Sequence, residues 1–154
     1  MDIKVARRSM DRFKRIARRR YPLEYLEILI GRVSEGAIEI VKSVPIPHTA
    51  SVSSNGGASS FADAGLDLSC DWEDADLEII KLKAEKEGLV FLGTIHSHPG
   101  SPNTPSDTDN ESVLSTRERV FGIYSFDKNA KSGRCTASKL CFYLPQVAVP
   151  IQTS

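Results

Sequence analysis

The sequence predicts a single α/β domain of the α+β type, in which helices and strands share one hydrophobic core. The chain has 154 residues, of which 40% are apolar and 26% are charged, a size and composition typical of one globular domain. Helical and strand periodicities alternate along it, and no apolar run approaches the roughly 20 residues that a membrane-spanning helix needs. We therefore expect residues 1–144 to form the domain and residues 145–154 to form a C-terminal tail.

The first predicted element is a helix over residues 2–20. Pro22 disfavours helical geometry at the preceding residue and so sets its end. Residues 1–20 contain nine of the 20 basic residues and two of the 20 acidic ones, which would suit nucleic acid. Interleaved aromatic residues and a second basic cluster are absent, which favours the solvated face of an amphipathic helix instead. Its apolar residues recur at spacings of three and four, at Ile3, Ala6, Met10, Phe13 and Ala17.

Two apolar strands follow, over residues 23–33 and 37–47, and the turn "SEG" between them predicts a hairpin. The next segment, from His48 to Ser60, is rich in Ser and Gly, which predicts a mobile loop. A helix over about residues 72–87 is then expected, with Gly88 after its last turn as a C-cap.

The second half of the chain is predicted to contain three more strands. The first, "LVFLGTI" over residues 89–95, is apolar throughout and therefore buried, and Gly93 marks a place where another backbone or a ligand approaches closely. A short helix over 109–118 is followed by strands over 119–126 and 135–144, which a turn-rich segment separates.

The segment "HSHPGSPNTPSDTD", from His96 to Asp109, contains the most informative pattern. His96 and His98 lie two residues apart at the end of a predicted strand, so their side chains share a face, and Pro99 favours extended geometry at His98. Two imidazoles and one carboxylate leave a fourth tetrahedral position for water, as in catalytic zinc sites. Asp109 is the nearest candidate for that carboxylate.

A simpler interpretation exists for each half of this segment. The two histidines can be polar residues at a strand end, and Ser106 with Asp109 matches an S-x-x-D capping box at the start of a helix. The residues alone leave both interpretations open. They are also compatible, because a capped first helical turn would be a rigid platform for a third metal ligand.

The complete pattern resembles a known family signature. His96-x-His98-Pro99, six further residues and Ser106-x-x-Asp109 resemble the motif of the JAMM (MPN+) zinc metalloproteases. That family has one more functional residue, a glutamate shortly before an apolar strand that ends in Gly. "PLEYLEILIG" matches this pattern and points to Glu24. Glu27 departs from it, since it stands where many members have a small residue.

The resemblance implies a fold, a metal and a set of roles. The fold would be the MPN/JAB1 type, which is cytidine-deaminase-like, with a curved central β-sheet flanked by helices. One Zn²⁺ per chain would be held by His96, His98 and Asp109, and would activate water and polarise the scissile carbonyl. Glu24 would act as the general base, and Ser106 would donate a hydrogen bond to the oxyanion.

The resemblance further implies a zinc-dependent isopeptidase or peptidase of the single-domain prokaryotic type. It would cleave after the C-terminal tail of ubiquitin or a ubiquitin-like modifier, and the loop from His48 to Ser60 would bind the substrate. Two alternatives remain open: a non-catalytic MPN interaction module, and a peptidase for a sulfur-carrier or defence-system conjugate. No nucleic acid or membrane is expected as a partner, and a homodimer is left open.

The cellular compartment is predicted from two observations. The three cysteines are an odd number without a C-x-x-C pair, which fits reduced thiols. The basic N-terminus is not followed by the apolar stretch of a secretion signal. Both favour a cytoplasmic location.

Overall fold

A computed structural model describes residues 1–45, 74–100, 118–145 and 151–153. The described strands form one mixed sheet of seven strands, in the order β1-β3-β2-β4-β5-β6-β7. The predicted class, a central sheet flanked by helices, is confirmed. Its strands are β1 Asp2–Val5, β2 Leu26–Ser34, β3 Ala37–Pro45, β4 Val90–Pro99, β5 Val120–Lys128, β6 Cys135–Leu144 and β7 Ile151–Thr153.

The predicted helix over residues 2–20 is wrong at its start. Residues 2–5 form β1, which pairs in parallel with β3 and sets Ile3 beside Ile38. The first helix, α1, is Arg7–Arg19. Ile3 and Val5 fit the two-residue alternation of a strand as well as they fit helical spacing, and the vacant edge of β3 satisfies their backbone groups.

The central elements match the prediction more closely. The hairpin of β2 and β3 is confirmed, and its turn contains Gly36 with a φ of 76°. The second helix, α2, is Asp74–Lys86, and Gly88 follows it with a φ of 75°, the left-handed conformation that often ends helices. Among the described residues, neither helix is long and apolar enough to cross a membrane.

Hydrophobic clusters lie on both faces of the sheet. On one face, α1 packs Met10, Phe13 and Ala17 against a cluster that includes Ile95 and Tyr124. The other face contains a cluster in which Ile28 and Ile30 of β2 meet Ile80, Ala84 and Leu89 from α2 and its following turn. Strand β4 lies in the middle of the sheet and contributes side chains to both faces. The two faces are named below the α1 face and the α2 face.

The predicted close approach at Gly93 is confirmed, and the group that approaches is the backbone of the neighbouring strand. Gly93 pairs with Val120 across the parallel β4–β5 contact. A Cβ placed on Gly93 would lie 1.8 Å from the Val120 carbonyl oxygen, a separation that no pair of non-bonded atoms can adopt. A side chain at this position would therefore force β4 and β5 apart.

We predict that Gly93→Ala destabilises the protein by about 3 kcal/mol or prevents folding, because the backbone atom in its way cannot rotate aside. Urea unfolding monitored by circular dichroism measures the change. Gly36→Ala is the matched control, since no atom lies within 4 Å of the added Cβ and the cost is about 1 kcal/mol for the left-handed backbone. Equal stability of the two variants would contradict the prediction.

Several sequence predictions lie outside the described residues. They concern the loop from His48 to Ser60, the start of the second helix, the capping box of Ser106 and Asp109, and residues 109–117 of the predicted short helix. Of the segment predicted as a tail, Ile151–Thr153 pairs with β6 in antiparallel orientation.

Candidate metal centre

Strand β4 continues through the histidine pair and ends at Pro99. Because side chains alternate along a strand, Thr94, His96 and His98 share one face, and Ile95 and Ser97 share the other. Ile95 belongs to the α1 cluster, so the histidines lie on the α2 face. The predicted co-facial arrangement of the two histidines is therefore present.

The two imidazole rings converge through the same ring atom. Nε2 of His96 lies 2.8 Å from Nε2 of His98, and the ring centroids are 4.7 Å apart. Both residues are buried, with exposed fractions of 1% and 8%. Two nitrogens that bind one tetrahedral zinc at about 2.0–2.1 Å are separated by roughly 3.3 Å, so a shift of about half an ångström would bring this pair to ligating distance.

The pair alone is not a complete metal site. Within the described ranges, no group of three His, Cys, Asp or Glu side chains is arranged to hold a metal ion. Asp109 and Ser106, the predicted third ligand and oxyanion donor, lie outside those ranges. The donor chemistry fits zinc, which accepts neutral imidazole nitrogens and leaves a position open for a carboxylate.

Glu27 occupies the α1 face and is fully buried there. Its carboxylate binds the Arg12 guanidinium through both oxygens, with one contact at 3.0 Å. It also accepts hydrogen bonds from the hydroxyls of Tyr25 and Ser43. Arg12 additionally donates to the Ser43 carbonyl oxygen. Glu27 therefore belongs to a closed polar network and lies on the opposite face of the sheet from the histidines.

Hydrogen bonding and burial in this network keep Arg12 and Tyr25 protonated. The hydrogen bond to Glu27 raises the pKa of the Arg12 guanidinium. Burial raises the pKa of the Tyr25 hydroxyl, and the hydrogen bond to Glu27 acts in the same direction. A protonated Tyr25 and a cationic Arg12 satisfy the buried Glu27 carboxylate as donors.

Glu24 lies two residues before β2, whose first residue, Leu26, lies opposite His96 in the antiparallel β2–β4 register. The Oε2 atom of Glu24 is buried. Glu27 pairs with Ile95, so strand alternation excludes it from the histidine face and leaves Glu24 as the candidate glutamate.

Ser97 fastens the segment beside Glu24 to β4. Its backbone N–H donates to the Tyr25 carbonyl oxygen at 2.9 Å. In return, the Tyr25 backbone N–H donates to the Ser97 hydroxyl oxygen at 2.8 Å. Ser97 is fully buried, and it lies between the two histidines in the sequence. These two bonds form the Ser97 clamp, which fixes the backbone next to Glu24 relative to both imidazoles.

We predict that Ser97→Ala lowers stability by about 1–3 kcal/mol, because it leaves the Tyr25 N–H without its acceptor. Urea unfolding measures the change. Ser9→Ala is the control: its hydroxyl donates to the Val41 carbonyl oxygen at 3.4 Å, away from β4. A Ser97→Ala variant with unchanged stability would refute the clamp.

One buried carboxylate near the histidines was not predicted from the sequence. Glu118 has an exposed fraction of 6%, and Thr94 donates its hydroxyl proton to Oε1 at 2.5 Å. Thr94 shares the α2 face with His96, so this acid lies beside the histidine row where the chain enters β5. Nothing in the local pattern distinguished Glu118 from an ordinary acid at a helix end.

The fold is similar to that of three solved structures. A protein from Desulfitobacterium hafniense matches with a TM-score of 0.62 and 18% identity, over 99% of this chain and 90% of its own. A JAB1/MPN domain protein from Archaeoglobus fulgidus gives 0.53 and 17%, over 99% and 96%. A protein from Salinibacter ruber gives 0.62 and 19%, over 98% and 88%. A comparison with curated protein sequences gave no match.

The similarity to the JAB1/MPN domain protein confirms the predicted MPN/JAB1 fold. The family is identified from the sequence. Residues 6–134 match the model of the prokaryotic homologs of the JAB domain, a range that extends from α1 to the turn before β6. This range includes both histidines, Glu24 and the complete motif from His96 to Asp109. The chain belongs to the prokaryotic JAB domain family.

Proposed function

We propose that the protein is a zinc-dependent peptidase or isopeptidase. The observation that carries this proposal is the convergence of two buried imidazoles, His96 and His98, whose Nε2 atoms lie 2.8 Å apart on one face of β4. At this separation one imidazole N–H can donate to the other ring nitrogen. The same two Nε2 atoms are positioned so that a small separation of the rings would let both bind one zinc ion.

Zinc would be held by His96, His98 and Asp109, with one ion per chain. When bound, zinc acts as a Lewis acid and lowers the pKa of water toward neutrality. The assignment of Asp109 is supported by its place in the motif that follows the two histidines, at the end of β4.

Glu24 accepts the proton of the attacking water and passes it to the leaving amine, which is the role of a general base that then acts as an acid. A carboxylate suits this role where its environment holds it in place, and the Ser97 clamp holds the adjacent backbone. Ser106 donates a hydrogen bond to the oxygen on which negative charge develops.

The substrate proposed is a peptide or isopeptide bond after the extended C-terminal tail of ubiquitin or a ubiquitin-like modifier. Conjugates of a sulfur-carrier protein or of a defence system have the same chemistry, since they also present a flexible tail joined by an amide. An extended tail can bind by adding a strand, which requires little of its sequence. The segment from His48 to Ser60 is proposed to provide that contact.

The test is cleavage of a ubiquitin-like modifier fused to a reporter, through a linear peptide bond and through an isopeptide bond. Zinc-loaded protein should release the reporter, a zinc chelator should stop the release, and added zinc should restore it. Metal analysis should give one zinc per chain, and His98→Ala should lose it. Cleavage that persists with the chelator, or none by the zinc-loaded protein, would contradict the proposal. A protein that binds no zinc and cleaves nothing would be an interaction module.

A further inference from the structure

A cavity on the α1 face is lined by cationic side chains. Its volume is about 470 Å³, and it lies between the second half of α1 and the facing ends of β5 and β6. This size falls within the range of about 300–1,000 Å³ typical of small-molecule sites. The histidines lie on the other face of the sheet, so the cavity is separate from the candidate metal centre. Its lining residues are Arg15, Arg18, Arg19, Lys128, Gly133, Cys135 and Ser138.

The four cations in this lining have no anionic partner within the described ranges. None of them forms an ion pair there, and no Asp or Glu is among the lining residues. Arg15, Arg18 and Arg19 are spaced by three and four residues, so they share one face of α1, where like charges repel. A cluster that is unfavourable without a ligand becomes favourable when an anion occupies it.

Two of the cations are held in place by neighbouring aromatic residues. Arg18 donates to the hydroxyl of Tyr124 at 2.9 Å, and Ser138 donates to the same hydroxyl at 2.9 Å. Tyr124 is fully buried, so it anchors both side chains to the core. The Lys128 ammonium lies 5.8 Å from the centroid of the Tyr21 ring. Charges that are already positioned lose less entropy when a ligand binds.

The backbone of β6 is irregular beside this cavity. The β5–β6 register shifts between Ser125 and Asp127, and Ala137 has a φ of 51°. This is a bulge in which alanine occupies a left-handed position that usually requires glycine. The bulge directly precedes Ser138, whose hydroxyl reaches Tyr124. Strained residues of this kind are frequent at binding sites.

We propose that this cavity binds a small soluble ligand that carries a diphosphate or triphosphate group. A carboxylate offers two oxygens, which a single guanidinium satisfies. A phosphoryl group carries more charge and more acceptor oxygens, and guanidinium groups bind them in a bidentate manner. Four cations around one hollow therefore match adjoining phosphoryl groups. A nucleic-acid backbone would instead favour the same charges spread along a strip.

The proposal is tested by calorimetric titration of the full chain with inorganic pyrophosphate at low and at physiological ionic strength. We expect binding that weakens with salt, and a higher Tm in the presence of pyrophosphate. Arg18→Gln and Lys128→Gln should each weaken binding by about tenfold or more. Arg8→Gln is the matched control, because Arg8 is exposed on the same helix outside the cavity, and it should change the affinity by less than about twofold.

Two further measurements test where pyrophosphate binds. Pyrophosphate should slow alkylation of the half-buried Cys135 thiol, followed by peptide mass spectrometry, and binding should persist in His98→Ala. Binding lost in His98→Ala would place the anion at the metal centre and overturn the proposal. An equal loss in Arg8→Gln would do the same, as would equal affinity for citrate. Binding only to vesicles of phosphatidylcholine with phosphatidylinositol bisphosphate, or only to an oligonucleotide, would also overturn it.

Discussion

Glu24→Gln is expected to lower kcat by about 10²–10⁴-fold while the protein retains one zinc per chain. The amide keeps the size of the carboxylate but cannot accept a proton at neutral pH, so general base catalysis is lost. Because Glu24 is not a proposed zinc ligand, the metal content should not change. The measurements are the rate of reporter release from the modifier fusion and the zinc content of the same preparation.

Glu27→Gln is the matched comparison, since it makes the same chemical change three residues away. Glu27 is fully buried on the α1 face in contact with Arg12, so this variant should lose stability while its folded fraction keeps the wild-type kcat. Full activity in Glu24→Gln, or loss of turnover in folded Glu27→Gln, would mean that the base is assigned to the wrong glutamate.

Arg12→Ala is expected to destabilise the protein by about 3–5 kcal/mol. The variant leaves the fully buried Glu27 carboxylate without its counter-charge, and an uncompensated charge in the interior costs that amount. The two neutral donors that remain, the hydroxyls of Tyr25 and Ser43, compensate only part of this. Urea unfolding at neutral pH measures the difference.

Arg32→Ala provides the control for this experiment. Arg32 and Glu39 also form an ion pair, at 2.6 Å, but both side chains are about half exposed. Solvent screening reduces such pairs to about 0–1 kcal/mol. Similar losses in Arg12→Ala and Arg32→Ala would show that the buried network contributes no more than a surface pair.

Local periodicity predicted most of the fold correctly. The hairpin, α2, β4 with its close approach at Gly93, and the last two long strands all follow from patterns within about ten residues. Strand β1 did not, because Ile3 and Val5 satisfy both a helical and a strand pattern. Its pairing with β3 depends on residues more than thirty positions away, and such contacts leave no local signal.

Only part of the candidate site could likewise be predicted from local sequence. The shared face of His96 and His98 follows from their spacing in a strand, and the structure brings them together as predicted. The Ser97 clamp and the Arg12–Glu27 pair were not predicted, since each joins two different elements, and a local pattern does not show which side chains of two elements meet. A signal for the second was present: "LEILIG" contains a single acid within an otherwise apolar strand, and a buried acid requires a partner.

The Arg12–Glu27 pair also has an evolutionary consequence. The resemblance to the JAMM family led us to expect a small residue at position 27, and here that residue is an acid whose charge Arg12 neutralises. Loss of Arg12 alone would leave a fully buried charge uncompensated, whereas loss of Glu27 alone would leave a partly exposed arginine that solvent can hydrate. Relatives with an acid at position 27 should therefore carry a basic residue at position 12, while position 12 should vary more freely wherever position 27 is small.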